Sequence, residues 1–136
     1  MTQKDKELLL KDICARLPYG VKMNHIADDE HSPKTLIGVA KDMITLEGLG
    51  GYECVDTEDY KPYLFPLSSI TIEQEKELSK LGVSYGEYAL HDDIRGLGIY
   101  VDEAYIFFEF CYKHHIDFLG LIEMGLANDA TGLNIY

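Results

Sequence analysis

The sequence is short of several things, and each shortage removes a class of protein. It has three cysteines, Cys14, Cys54 and Cys111, widely spaced and with no Cys-x-x-Cys. Neither a cysteine-held zinc nor a disulfide framework fits that pattern. All three thiols are expected to be small buried apolar side chains. Arginine occurs only twice, as Arg16 and Arg95, and no Lys/Arg cluster is present to clamp a phosphate. No apolar run approaches the roughly 20 residues a membrane helix needs. The densest, 104–111, is interrupted by Glu109. The first residues include Asp5 and Glu7 where a secretory signal wants a basic start and an apolar block, so a cytoplasmic location is expected.

Basic charge is also scarce. Against 24 Asp and Glu stand 12 Lys and Arg, giving a net charge of −12. Residues 63–136 carry 12 acidic and 4 basic groups, so most of the surplus lies there. Direct nucleic-acid binding is not expected, because neutralising phosphates requires clustered cations. The acidic surplus suits solubility. A sharper alternative is an acidic face that mimics nucleic acid and inhibits a DNA-binding host enzyme.

What is present is enough for a core. The 136 residues are 46% hydrophobic and include 10 Tyr and 5 Phe. That length suits a single globular domain over 1–136. A helix is expected from about Lys4 to Leu17, with Leu10, Ile13, Cys14 and Leu17 as its buried stripe. Thr2 with Asp5 is its capping signature, and Pro18 and Gly20 end it. Short strands follow at Val21–His25, Thr35–Ala40, Met43–Leu46, Tyr52–Val55 and Tyr63–Leu67, with a polar loop over Ile26–Lys34. Gly48, Gly50 and Gly51 suit a hairpin turn with positive φ. Pro62 and Pro66 favour a sheet edge for the last strand. Thr71 with Gln74 forms a capping box for a helix ending near Gly82. A further helix is expected from Asp102 to Lys113, with Glu109 and Lys113 as an i,i+4 pair. Asp117 would cap a short helix over Phe118–Ala127, and Thr131-Gly132 marks a final turn. The class is α+β. An N-terminal helix precedes a small antiparallel curled sheet or open barrel of four to five strands, and C-terminal helices pack on it.

No catalytic constellation is legible, which disfavours an enzyme, and no cofactor is implied. Gly48-Leu49-Gly50-Gly51 lacks the Lys-Ser/Thr of a P-loop. No Gly-x-Ser-x-Gly elbow occurs, and Ser68 and Ser69 read as capping residues. His25, Asp28, Asp29, Glu30 and His31 lie close together, but they miss the EF-hand spacing and read as a solvated loop. His91, His114, His115 and Asp117 are weak metal candidates, and they would serve a small metal-dependent hydrolase only if the fold joined them. For His114 and His115 the simpler role is at a helix C-terminus, where an imidazolium meets free carbonyls. Tyr19, Tyr60, Lys61, Tyr63 and Phe65 are more suggestive, because Tyr offers an apolar face with a polar tip. They fit either ordinary packing of a sheet edge on a helix or an interaction surface for a protein partner or for a homodimer.

Three segments carry a resemblance. They are Ala15-Arg16-Leu17-Pro18-Tyr19-Gly20-Val21, Lys61-Pro62-Tyr63-Leu64-Phe65-Pro66-Leu67-Ser68-Ser69, and His114-His115-Ile116-Asp117-Phe118-Leu119-Gly120-Leu121-Ile122, followed by Gly125-Leu126-Ala127. Together with the tail Asp129–Tyr136 they resemble a group of short uncharacterised proteins of gut anaerobes and their bacteriophages. The resemblance spans most of the chain in the same order. It implies a small cytoplasmic protein of phage or mobile-element origin and no catalytic residues. Members often carry Trp before the paired histidines and arginine where this chain has Leu119; this chain has no Trp. The leading expectation is therefore a non-enzymatic protein-interaction module.

Overall fold

The computed structural model describes residues 1–30, 32–82 and 101–136, with backbone only at 101–103. His31, the His91-Asp92-Asp93 cluster, Arg95 and the stretch Ser84–Gly98 lie outside the described residues. Helix α1 spans Gln3–Arg16, and the Thr2–Asp5 capping box closes its start. Gly20, at φ 65, follows the 3-10 turn Leu17–Tyr19 that ends it. Five strands come next: β1 Lys22–His25, β2 Lys34–Val39, β3 Met43–Gly48, β4 Gly51–Asp56 and β5 Tyr60–Pro66. Helix α2 spans Ile72–Lys80, capped by the reciprocal Thr71–Gln74 box. Helix α3 spans Val101–Lys113, followed by the two-residue strands β6 Ile116–Asp117 and β7 Asn128–Asp129.

The α+β class holds. The five longer strands pair antiparallel in the spatial order β4-β3-β2-β1-β5. Strands β6 and β7 add short parallel pairings to β5, so the sheet is mixed, and it stays open. The β3–β4 hairpin turns through Leu49-Gly50, with Gly48 opposite Gly51 and Gly51 at φ 103, where a side chain would be strained.

β5 is not an edge strand. It bonds β1 through residues 60–62, β7 through 63–64 and β6 through 65–66. Successive residues of a strand turn their N–H and C=O to opposite edges. Pro62 and Pro66 therefore face the edge away from β1. The missing donors cost nothing in the β1 ladder. Between β1 and β6 on that ladder edge the Tyr136 hydroxyl is inserted. It accepts from Lys22 N–H at 2.8 Å and donates to the Tyr63 carbonyl at 2.7 Å.

Two apolar clusters carry the packing. Leu9 and Ile13 of α1 meet Val21, Met23, Leu36, Ile44 and Leu46 of the sheet. Leu78 of α2 meets Phe107, Phe110 and Cys111 of α3 together with Ile116. Each fully buried Leu, Ile or Phe contributes about 1.5–3 kcal/mol. The buried face of α1 is Leu9, Asp12, Ile13 and Arg16, rotated from the expected Leu10–Leu17 stripe. The cause is a charged pair that sequence patterning assigns to solvent. Arg16 Nε donates to Asp12 at 2.7 Å, and its terminal nitrogens donate to the carbonyls of Ile116 at 2.8 Å and Cys111 at 3.3 Å. This guanidinium ties α1 to the end of α3. As a result Cys14 faces solvent, as does Cys54, and of the three thiols only Cys111 is buried.

Residues 118–127 form turns instead of a helix. Gly120 and Gly125 sit at φ 78 and 75, which a right-handed helix does not allow. Asp117 still caps, accepting from the N–H groups of Leu121 and Ile122 at 2.9 Å each. The turn at Thr131-Gly132 is present, with Asp129 accepting from Thr131 N–H.

Candidate functional site

The expected tyrosine surface is divided by the fold. Tyr63 is fully buried and Tyr60 is 6% exposed, so neither reaches a partner. Their segment runs inside the sheet, because three strands bond to it. Tyr19 is half-buried and its hydroxyl donates to Glu109 at 3.3 Å. That contact, together with the ion pair of Lys113 and Glu77, replaces the expected Glu109–Lys113 pair. Lys61 lines a polar recess of about 210 Å³ together with His25, Asp28 and Asp29. Phe65 lines a larger cleft.

The polar loop gives no metal site among its described residues. His25 Nδ1 accepts from Ala27 N–H, and the Asp28 carboxylate accepts from the N–H groups of Glu30 and Ser32. These are local turn bonds. Among the described residues no three His, Cys, Asp or Glu side chains gather to hold a cation. His114, His115 and Asp117 each go elsewhere. His114 Nε2 lies 3.2 Å from Glu77 without hydrogen-bond alignment. The Asp117 carboxylate is taken by its two backbone donors.

His115 is the unusual one. It ends α3 in a left-handed conformation, φ 59, and its ring stacks on Tyr136 with centroids 3.7 Å apart and planes 12° apart. It is 9% exposed, and its Nδ1 has no hydrogen-bond partner among the described residues. Burial, and then the nearby Arg16, His114 and Lys22, push its pKa down to about 4. The ring is neutral at physiological pH, so it is not the imidazolium expected at the helix end.

The cleft that His115 lines has a volume of about 480 Å³. Its walls come from the end of α3, the start of α2 and the C-terminal turn, and include Phe65, Thr71, Lys113 and Tyr136. The Tyr136 hydroxyl is buried, which pushes its pKa up, while the residue as a whole is 43% exposed. Tyr136 lines the cleft with its ring stacked on His115.

A second exposed feature lies at the far end of the sheet. Among the described residues β4 pairs only with β3. Leu49 at the hairpin tip is fully exposed, Tyr52 is 72% exposed, and Met43 across the sheet is also exposed. The neighbouring charges on β4 and just after it are Glu53, Asp56, Glu58 and Asp59, and among the described residues Lys34 pairs with Glu53 and Lys6 with Glu58.

Comparison with protein families, curated proteins and solved structures gives no match, so the functional reading rests on geometry. Sequence reasoning missed Tyr136, Leu49 and Tyr52. Leu49 had a signal, since an apolar side chain at a glycine-flanked turn cannot reach a core. Tyr136 had none, because the register of the tail against β5 is a tertiary property.

Proposed function

We propose that this chain is a non-enzymatic protein-interaction module that takes an extended segment of a partner onto the free edge of β4. The observation that carries this reading is an edge strand unpaired among the described residues, with apolar side chains at its exposed end. Edge N–H and C=O groups are a ready template for another strand, and proteins that do not use them blunt them with Lys, Pro or short length. β4 has neither Lys nor Pro and runs six residues. Its charges are acidic, so the fitting partner is an extended segment with basic side chains and one or two apolar ones. The module acts as one domain in the cytoplasm, and the partner is a host protein if the chain is of phage origin. Among the described residues no helix is long and apolar enough to cross a membrane.

The test compares native pull-downs by the wild-type chain and by the double variant Leu49→Asp, Tyr52→Lys, with mass spectrometry of what is retained. Both positions are exposed, so the variant keeps the wild-type thermal midpoint. The reading expects a stoichiometric protein on the wild type that the variant loses. A partner retained equally by both, or none at all together with a monomer by light scattering, overturns it.

A further inference from the structure

We propose that the cleft between the end of α3 and the start of α2 binds a small organic anion carrying a flat ring. The first observation is charge. The chain holds 24 acidic residues, yet no described residue lining this cleft is acidic, and the Lys113 ammonium lines it. Three other clefts each carry carboxylates: Asp42, Asp56 and Glu58 in one, Asp28 and Asp29 in the second, Asp5 and Glu7 in the third. Among the described residues its walls carry no acidic side chain, and Glu77 stands beside it, so an anion meets less repulsion there than in the other three clefts.

The second observation is the donor set. In the capping box Thr71 Oγ1 accepts from Gln74 N–H, and Gln74 Oε1 accepts from Thr71 N–H. Both acceptors are thus occupied, which leaves the Thr71 O–H and the Gln74 amide N–H groups as donors on the cleft wall. They sit at the positive end of the α2 dipole. Glu73 and Glu75 share that turn but do not line the cleft. Opposite them is the Lys113 ammonium, 3.7 Å from Glu77 and exposed. Glu77 stands at the rim and holds Lys113 and His114 near the opening. An entering anion exchanges with it for both groups.

The third observation is an aromatic wall with an unsatisfied group in it. Tyr136 stacks on His115 and lies 5.9 Å from Phe65, centroid to centroid. Tyr136 and Phe65 both line the cleft, so a ligand ring meets aromatic side chains there. His115 is nine-tenths buried with an unpartnered Nδ1, an unsatisfied polar atom of the kind that calls for a functional account. The volume of about 480 Å³ suits a ligand of mononucleotide size.

The anion can be a phosphate monoester or a carboxylate, and the probes separate them. The full chain is titrated calorimetrically with the four common nucleoside monophosphates, with salicylate, and with adenosine and inorganic phosphate as ring-only and anion-only probes. Saturable binding is expected for a nucleoside monophosphate or for salicylate, at least about tenfold tighter than for either half-probe. Lys113→Met weakens it about tenfold, the worth of one charge-assisted contact. Thr131→Trp, at an exposed position on the cleft wall, abolishes it by filling the space. Both variants are checked for wild-type circular dichroism and thermal midpoint. The proposal is overturned if no ring-bearing anion binds at millimolar concentration, if the half-probes bind as tightly, or if neither variant changes the affinity.

Discussion

Acidifying the solution from neutral pH to about pH 4 protonates His115 in the unfolded chain well before it does so in the folded one. The unfolded imidazole titrates near its ordinary value of 6.5, while the folded one titrates at about 4, because the ring is buried against Tyr136 beside Arg16. A depressed folded value stabilises the fold above pH 6.5, and that stability is lost as pH falls through the folded value. Each pH unit between the two values is worth about 1.4 kcal/mol, so the full loss, complete only below the folded value, is about 3.5 kcal/mol. Many carboxylates titrate in the same range, so the measurement must be a difference. Asn tolerates the left-handed backbone that His115 adopts and cannot take up a proton. Urea unfolding of the wild type and of His115→Asn is followed from pH 7.5 to pH 4. The stability of the wild type relative to the variant should be level above about pH 7 and fall by about 2–3 kcal/mol between pH 6.5 and 4. A difference that stays flat, or an imidazole that titrates near 6.5 by NMR, refutes the argument that burial governs this ring.

Three further outcomes follow from the packing. Arg16→Met leaves the Asp12 carboxylate buried without its partner and removes the donors to the Cys111 and Ile116 carbonyls; it should cost about 3–5 kcal/mol in chemical denaturation, and Asp12→Leu added to it should recover part of the loss. Tyr136→Phe removes the hydroxyl between Lys22 N–H and the Tyr63 carbonyl and should cost about 1–3 kcal/mol, with faster amide exchange at Lys22. Alkylation of the native protein should label Cys14 and Cys54 and spare Cys111, whose thiol burial pushes up to about 12; labelling of Cys111 before unfolding would contradict the packing of α3.

Local chemistry made much of the fold legible from residues alone. The Thr2–Asp5 and Thr71–Gln74 boxes, the glycine hairpin and the α1 stop at Pro18-Gly20 are short-range features, and each forms where its residues are written. The errors have a common cause in long-range partners. Asp12 and Arg16 look like a solvent stripe until the carbonyls of Cys111 and Ile116, some hundred residues away, are supplied as acceptors. Pro62 and Pro66 mark an edge of a strand but cannot say that β1, β6 and β7 bond to the same strand. Phe118–Ala127 has helical spacing, and the left-handed glycines at 120 and 125 prevail over it. Tyr60 and Tyr63 suit a surface as well as a core on sequence grounds, because an aromatic in a proline-containing segment looks the same whether a neighbouring strand covers it or not.

The free edge of β4 is tested most directly by amide hydrogen exchange with and without the captured partner. The account predicts slowed exchange at alternate amides of Gly51–Asp56, whose outward N–H groups would bond the incoming strand, with little change in α1 and β1. Protection confined to another surface, with β4 exchanging as it does in the free chain, would contradict it.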